Sequence, residues 1–159
     1  MVYPADLTAR QGFQAGYFLD RRWNPDAQAG VPGEGLLTLT LPGSNKLMTA
    51  QLRLGASDDR QALDECRLPE EGQAGPDASI VIDGVAFKRR DTADAAMNHF
   101  LARHAYRGVA RGHCYALDLI VDGSNPGVYP DHPTPPMTRQ KAFKRLTALL
   151  DGLAFAEQP

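Results

Sequence analysis

Alternating apolar and polar positions predict a series of half-buried β-strands. In the stretch 36–41, leucines at every second position share one face, and the hydroxyl groups of Thr38 and Thr40 take the other. The stretch 47–56 repeats the alternation with Met48, Ala50, Leu52 and Leu54 on one side. Both segments therefore have the pattern of strands with one face against a core.

The strongest turn signal is Asp83-Gly84, which joins the apolar stretches 79–82 and 85–87. An Asp-Gly pair suits the positive φ angles of a type I′ turn, and flanking strands make such a turn a hairpin. We therefore predict two antiparallel strands that meet at this pair.

A further strand is predicted over 113–122, and both of its faces carry apolar residues. One face presents Tyr115, Leu117, Leu119 and Val121, and the other presents Cys114, Ala116, Asp118 and Ile120. Because the second face holds both a thiol and an isoleucine, we expect it to be covered and the strand to be central. The stretch 100–107 is expected to pair with it, with Gly108 and Gly112 bracketing the turn.

Helical spacing predicts two helices. A short one is capped by Ser57 or Asp58 and runs to Arg67. The second spans 138–153, with a leucine-rich inner face and a basic outer surface (Phe143, Leu146, Leu149, Leu150 and Leu153 inside; Arg139, Lys141, Lys144 and Arg145 outside). The stretch 93–98 fits either a helical turn or a bulged strand, and the pattern leaves both open.

This succession of strands with inserted helices predicts an α+β fold, an antiparallel β-sheet flanked by helices. A doubly wound parallel fold is excluded by the hairpin at 79–87, which has no crossover helix. Glycines and prolines cluster at 25–35, 69–76 and 123–136, and each cluster has the size of a loop. We therefore expect one domain over residues 1–159.

Composition narrows the class of protein. The chain has 159 residues, 43% of them hydrophobic and 23% charged, which is typical of a globular domain. Its net charge of −2 argues against a protein built to bind nucleic acid. No apolar run approaches the roughly 20 residues of a transmembrane segment. Residues 1–6 lack the pattern of a secretory signal, so the chain is expected to be either cytosolic or a mature segment whose signal is gone.

Candidate catalytic and metal-binding groups are few. His113 neighbours Cys114, but adjacent side chains of a strand point to opposite faces, so the histidine is badly placed to activate the thiol. Four histidines and four aspartates in and around the 91–132 region suggest an alternative metal-binding protein or hydrolase, although no metal-ligand spacing occurs among them (His99, His104, His113, His132, Asp91, Asp94, Asp118 and Asp122). We predict no catalytic residue, no metal and no cofactor.

Basic residues accumulate between 84 and 113. If the strands that bear them pair, they gather on one surface and attract an acidic partner (Lys88, Arg89, Arg90, Arg103, Arg107 and Arg111). The alternative is a solvated sheet edge that is protected by charge.

In combination, several short motifs resemble a known group. They are the run 54–59 followed by Cys66, the segments 82–87 and 95–97, Tyr106, the segment 112–117, an Asn-Pro-Gly loop and a closing helix to Phe155. This order resembles small bacterial exported proteins and lipoproteins of uncharacterised function. Their domain looks like the PsbP fold, which is shared by the extrinsic photosystem II protein and the Ran-binding nuclear import protein. The resemblance covers roughly residues 47–155, and residues 1–35 match poorly.

The resemblance implies a disulfide between Cys66 and Cys114 and an α-β-α sandwich of the PsbP type. The inner edge of the first predicted helix and the second face of the strand 113–122 agree with that pairing. The resemblance further implies a noncatalytic binding or scaffold module of the bacterial cell envelope, periplasmic or secreted, since the named relatives bind protein partners. The partner is then a protein or another acidic envelope component.

Overall fold

A single antiparallel sheet forms the body of the protein in the computed structural model, which describes residues 1–70 and 78–155. Its strands in chain order are β1 (Thr8–Arg10), β2 (Glu34–Thr40), β3 (Thr49–Ser57), β4 (Ala78–Ile82), β5 (Val85–Ala96), β6 (His99–Ala110) and β7 (His113–Ser124). The helices are α1 (Arg60–Glu65) and α2 (Arg139–Ala148), with 3-10 turns at Pro126–Val128 and Leu149–Gly152. Across the sheet the order is β1-β2-β3-β7-β6-β5-β4, so β7 lies in the middle, as predicted.

The hairpin turns follow the local sequence. Asp83 and Gly84 have φ angles of 48° and 75°, which confirms the predicted turn between β4 and β5. Arg111 and Gly112 form a turn of the same kind between β6 and β7, with φ angles of 50° and 75°. The chain therefore runs from β4 to β7 as a meander.

The ambiguous stretch 93–98 is the end of β5 and the turn into β6. Met97 and Asn98 form that turn with φ angles of 51° and 66°. Because neither residue is glycine, the sequence carries no strong turn signal at this point. The pairing of Ala96 with His99 decides the conformation, since it closes a two-residue loop.

One face of the sheet carries the main hydrophobic core. The register sets Leu52 opposite Leu119 and Leu54 opposite Leu117, so the alternation seen in the sequence becomes a continuous apolar surface. Helix α2 packs on this surface through Ala142 and Leu146, both fully buried. Its N-terminus is capped by the hydroxyl of Thr138, which accepts a hydrogen bond from Lys141 N.

The other face is covered mostly by irregular chain. The segment 12–33 crosses it, and the backbone of Trp23 lies so close to Gly55 that a Cβ there would collide with the Trp23 carbonyl oxygen. The only helix described on this side is α1, which has six residues and is capped by Asp59 rather than by Ser57 or Asp58. The α+β expectation therefore holds only in a coarse form. An antiparallel sheet with two α-helices is present in the described chain, but most of its regular structure is β.

Cys66 and Cys114 form a disulfide, as the resemblance implied. The two sulfur atoms lie 2.09 Å apart, and the bond joins the end of α1 to the central strand. Trp23, Ala62 and Ala116 pack with Cys114 in a small second core. The bond thus tethers the cover of this face to the middle of the sheet.

We expect the double variant Cys66→Ala/Cys114→Ala to fold with a free energy of unfolding about 4 kcal/mol lower, because the bond closes a loop with a sequence separation of 48 residues. Thermal unfolding should show a melting temperature lower by about 10 °C. A reductant should lower the melting temperature of the native protein and leave that of the variant unchanged. Two reactive thiols in the unfolded, unreduced native protein would contradict the bond.

Candidate functional site

The histidines do not form a shared site. His99 and His104 are five residues apart and lie on opposite faces of β6. The ring of His99 stacks on Tyr17 at 4.0 Å between centroids, and the ring of His104 stacks on Phe143 at 3.9 Å. Burial lowers the pKa of His104, and the charge of Asp91 offsets only part of this effect. These two rings therefore belong to separate packing contacts.

The other two histidines lie elsewhere. His113 begins β7 and its ring tilts towards Tyr115, and His132 is exposed in the loop before α2. Across residues 1–70 and 78–155, no three His, Cys, Asp or Glu side chains are grouped so that they could hold a metal ion. The geometry therefore gives the metal-binding or hydrolase alternative no assembled centre.

The six basic residues singled out in the sequence are divided by the strand register. Lys88, Arg90, Arg103 and Arg107 project from the face that the segment 12–33 covers, and Arg89 projects from the face of α2. Arg111 is exposed in the β6–β7 turn. The six therefore do not share one surface.

Burial removes three of the six from the accessible surface. Arg90 is buried and donates a hydrogen bond to the carbonyl of Pro69, and Arg103 and Arg107 are 6% and 2% exposed. Lys88 and Arg111 are exposed. Arg89 is half-buried and paired with Asp91 at 2.8 Å. The expected contact surface is thereby reduced to Lys88, Arg111 and part of Arg89.

Arg103 and Arg107 form a buried charge cluster with Asp26 and Asp118. In the register Asp118 lies opposite Ala105, so the two arginines flank it diagonally and the small alanine leaves them room. Arg107 Nη1 donates to Asp118 Oδ1 at 2.7 Å, and Arg103 reaches Asp118 Oδ2 at 3.4 Å. The cluster thus begins within the sheet itself.

Asp26 completes the cluster from the covering segment. Arg103 donates to both oxygens of Asp26, at 2.8 and 2.9 Å, and Arg107 Nη2 donates to Asp26 Oδ2 at 2.5 Å. Asn24 accepts a further bond from Arg107 at 3.0 Å, whereas Arg107 Nε is buried without a partner among the described residues. Two positive and two negative charges thereby balance each other, with at most 11% of any of these side chains exposed.

The pKa values of the cluster follow from this pairing. Burial alone would raise the pKa of Asp26, but the charges and hydrogen bonds of Arg107 and Arg103 outweigh it and lower the pKa. Burial alone would lower the pKa of Arg103, and Asp118 and Asp26 reverse that effect and raise it. Both groups are therefore held in their charged forms.

Beside this cluster lies a polar cavity of about 390 Å³, which we call the threonine pocket. Its floor is the sheet face of β1, β2, β3 and β7, and its rim is the segment 14–19. The residues that line it are Thr8, Arg10, Gln14, Ala15, Gly16, Leu19, Thr38, Thr40, Ser44, Thr49, Gln51, Arg53 and Asp122. Uncharged polar residues are thus the most frequent in the lining, and apolar surface lies between them.

Arg53 holds the rim of the threonine pocket in place. Its guanidinium donates to the carbonyl of Gln14 at 2.6 Å and to that of Asp20 at 3.2 Å. The hydroxyl of Thr38 donates to the carbonyl of Gly12 at 2.7 Å. Burial lowers the pKa of Arg53, and Asp118, Asp122 and Asp20 offset this effect in part.

Asp122 is the least satisfied polar group of the pocket. Its Oδ1 is buried and has no hydrogen-bond partner among the described residues. Burial raises the pKa of Asp122, and the charge of Arg53 offsets only part of the increase. Asp122 therefore brings to the pocket wall a carboxyl whose burial is only partly offset.

Two larger grooves are less suited to specific binding. One of about 570 Å³ follows Asp20, Arg22, Asp26 and Arg103, whose charges are already paired with each other. The other, of about 590 Å³, lies beside the exposed Met97 at the β5–β6 turn. Neither contains a buried polar atom that lacks a partner among the described residues.

No pattern in residues 1–35 marks Asp26 or Asn24 as members of a site. Asp118 is predictable as part of a covered strand face and Thr38 and Thr40 as part of another strand face, but the sequence does not reveal what these side chains meet there. The sequence carries one signal for the cluster. On the predicted strands, the side chains of Arg103, Arg107, Asp118 and Asp122 take the alternate positions that face the covered side of the sheet. Charges of both signs on one covered face indicate a buried ion cluster.

We expect Asp26→Asn to flatten the loss of stability in acid. The pKa of Asp26 lies below its ordinary value of 3.8, so the carboxylate stabilises the fold above that value and loses this effect as the pH falls through the folded pKa. Denaturant titrations between pH about 5 and 2 measure the slope. At neutral pH the variant should lose about 3 kcal/mol of stability, because the two buried arginines then share a single counter-charge, Asp118.

The matched control is Asp6→Asn, which removes the exposed pair of Asp6 with Arg145 at 2.9 Å. It should change the free energy of unfolding by less than about 1 kcal/mol. An equal pH slope for the native protein and for Asp26→Asn would contradict the role assigned to Asp26.

Comparison with known proteins adds no relative to this description. No protein-family model matches the chain, and no curated protein matches it significantly. The resemblance to the PsbP fold therefore stays a prediction.

Proposed function

We propose that the protein is a noncatalytic binding or scaffold module that works in an oxidising compartment, in the bacterial cell envelope or secreted. The observation that carries the proposal is the disulfide between Cys66 and Cys114, which joins the cover of one sheet face to the central strand. Disulfides of this kind persist where thiols are not kept reduced. Within residues 1–70 and 78–155, no helix combines the length and the apolar character needed to cross a membrane.

The charge chemistry supports binding rather than catalysis. A catalytic group must present its nucleophile or base to the substrate. Here Arg103, Arg107, Asp26 and Asp118 direct their charged groups at one another, with side chains between 1% and 11% exposed. Cys114, the nucleophile candidate, is fully buried and oxidised. These four charged groups therefore have a structural role.

We propose a PsbP-type sandwich as the more specific description of this α+β fold. The antiparallel sheet, the closing helix α2 on one face and the tethered α1 on the other fit that arrangement. The relatives named for this fold bind protein partners, and this supports an interaction role for the chain.

For the partner surface we propose the exposed basic residues Lys88 and Arg111. The neighbouring side chain of Val109 is 51% exposed, so an apolar contact accompanies the charges. An acidic protein or another acidic component of the envelope fits this combination.

The compartment is tested by producing the full chain with and without an added export signal in a bacterium and trapping free thiols by alkylation. We expect the exported protein to be unreactive and resistant to protease, and the cytosolic protein to be reactive and more rapidly degraded, because the reduced chain loses the constraint of the disulfide. The variant Cys66→Ala/Cys114→Ala cannot form the bond, so it should be equally sensitive to protease in both compartments. Equal protease resistance of oxidised exported and reduced cytosolic protein would contradict the proposal.

The partner surface is tested by charge reversal. Lys88→Glu/Arg111→Glu should weaken binding to poly-L-glutamate about tenfold at low salt, because two attractive charges become repulsive. Arg21→Glu, which reverses an exposed charge outside this surface, should have a smaller effect. Equal weakening by Arg21→Glu would show that only net charge matters and would contradict a defined surface.

A further inference from the structure

We infer that the threonine pocket binds a small, neutral, polyhydroxylated ligand of about the size of a single sugar ring. This inference rests on the proposed binding role and gives it a ligand class. The volume of about 390 Å³ lies at the lower end of the range for small-molecule sites. The chemistry of its walls decides which small molecule fits.

The first argument is the carboxyl of Asp122, which lines the pocket. Its Oδ2 faces the open position of Gly16, where a Cβ would lie 3.9 Å away. A carboxylate oxygen accepts hydrogen bonds from the hydroxyl groups of a ligand that enters there. The pocket therefore favours a ligand that carries donors.

The second argument is the array of uncharged donors and acceptors beside that carboxyl. Thr40 lies opposite Gln51 across β2 and β3, and Thr49 lies opposite Asp122 across β3 and β7. Side chains at paired positions are about 5 Å apart, so these groups form a compact cluster on one side of the pocket. Since hydroxyl and amide groups both donate and accept, they suit a ligand that does the same.

The third argument is charge. A cation is disfavoured because Asp122 is the only carboxylate among the described residues that line the pocket, and the charge of Arg53 acts against it. An anion is disfavoured beside Asp122 because that carboxylate repels it and the guanidinium of Arg53 already donates to the carbonyls of Gln14 and Asp20. A neutral ligand avoids both penalties.

The geometry of the rim also permits entry. Gly16 stands over the carboxyl, and a Cβ built on it would lie 3.9 Å from Asp122 Oδ2. Because glycine has no side chain, this position leaves the space above Asp122 open. The rim is fixed by Arg53 and Thr38, so the pocket is formed before any ligand arrives.

The experiment is a titration of the isotope-labelled full chain with D-glucose, D-galactose, D-mannose and myo-inositol, followed by the amide chemical shifts. We expect at least one of these probes to shift the amides of Thr40, Gln51 and Asp122 saturably below about 50 mM, a range typical of weak small-ligand binding. Asp122→Leu should weaken that binding about tenfold, and Asp122→Asn, which keeps one acceptor, should weaken it less. Thr40→Val removes one hydroxyl with little change of shape and should also weaken it, so the inference stays testable if Asp122→Leu does not fold.

The matched control is Thr147→Val, which removes an exposed hydroxyl from α2 and should leave binding unchanged. Absence of saturable shifts with all four probes, or equal binding by the native protein, Asp122→Leu and Thr40→Val, would overturn the inference. So would shifts at these amides with calcium chloride, spermidine or inorganic phosphate where the four probes give none.

The outcome is separable from that of the proposed function. If the four probes fail while poly-L-glutamate still binds in a manner that depends on Lys88 and Arg111, the ligand class is wrong and the binding role stands. If both kinds of probe fail, the proposed function is contradicted as well.

Discussion

The buried cluster of Arg103, Arg107, Asp26 and Asp118 is the interaction on which the covered face of the sheet depends. Two arginines on one strand cannot be buried without counter-charges, and Asp118 of β7 supplies only one. The second comes from Asp26, in a segment with no regular structure of its own. The cluster therefore converts a connection of irregular chain into a fixed layer of the fold.

The disulfide and the close contact between Trp23 and Gly55 also hold chain against this face of the sheet. The bond from Cys66 to Cys114 holds α1 on β7, and the close approach of Trp23 to Gly55 brings the covering backbone onto the sheet. The charge pairing of Asp26 holds the segment 12–33 on the central strands, and the disulfide holds the end of α1 on β7. The threonine pocket is a consequence, because the rim from 14 to 19 is held over a polar part of the sheet that this layer does not fill.

Much of the architecture followed from local pattern. The alternation in 36–41 and 113–122, the Asp83-Gly84 turn and the leucine spacing of the closing helix each predicted an element that is present, because each depends on neighbours in the chain. The stretch 93–98 stayed ambiguous because the turn at Met97 and Asn98 is imposed by strand pairing. Arg103 and Arg107 were expected on an exposed basic surface but are buried. The alternation of side chains along a strand predicts the face on which a residue lies, but it does not reveal what covers that face.

Local patterns predict the strands, the hairpin at Asp83-Gly84 and the apolar face of α2, and a family resemblance predicts the pairing of Cys66 with Cys114. The neutralisation of Arg103 and Arg107 by Asp26, and the place of Asp122 in a pocket with several threonines, depend on the folded chain. The physical reason is the range of the interactions. Periodicity and turn preference act over a few residues, whereas Asp26 and Arg103 are 77 positions apart in the chain and meet only when the irregular segment folds across the sheet.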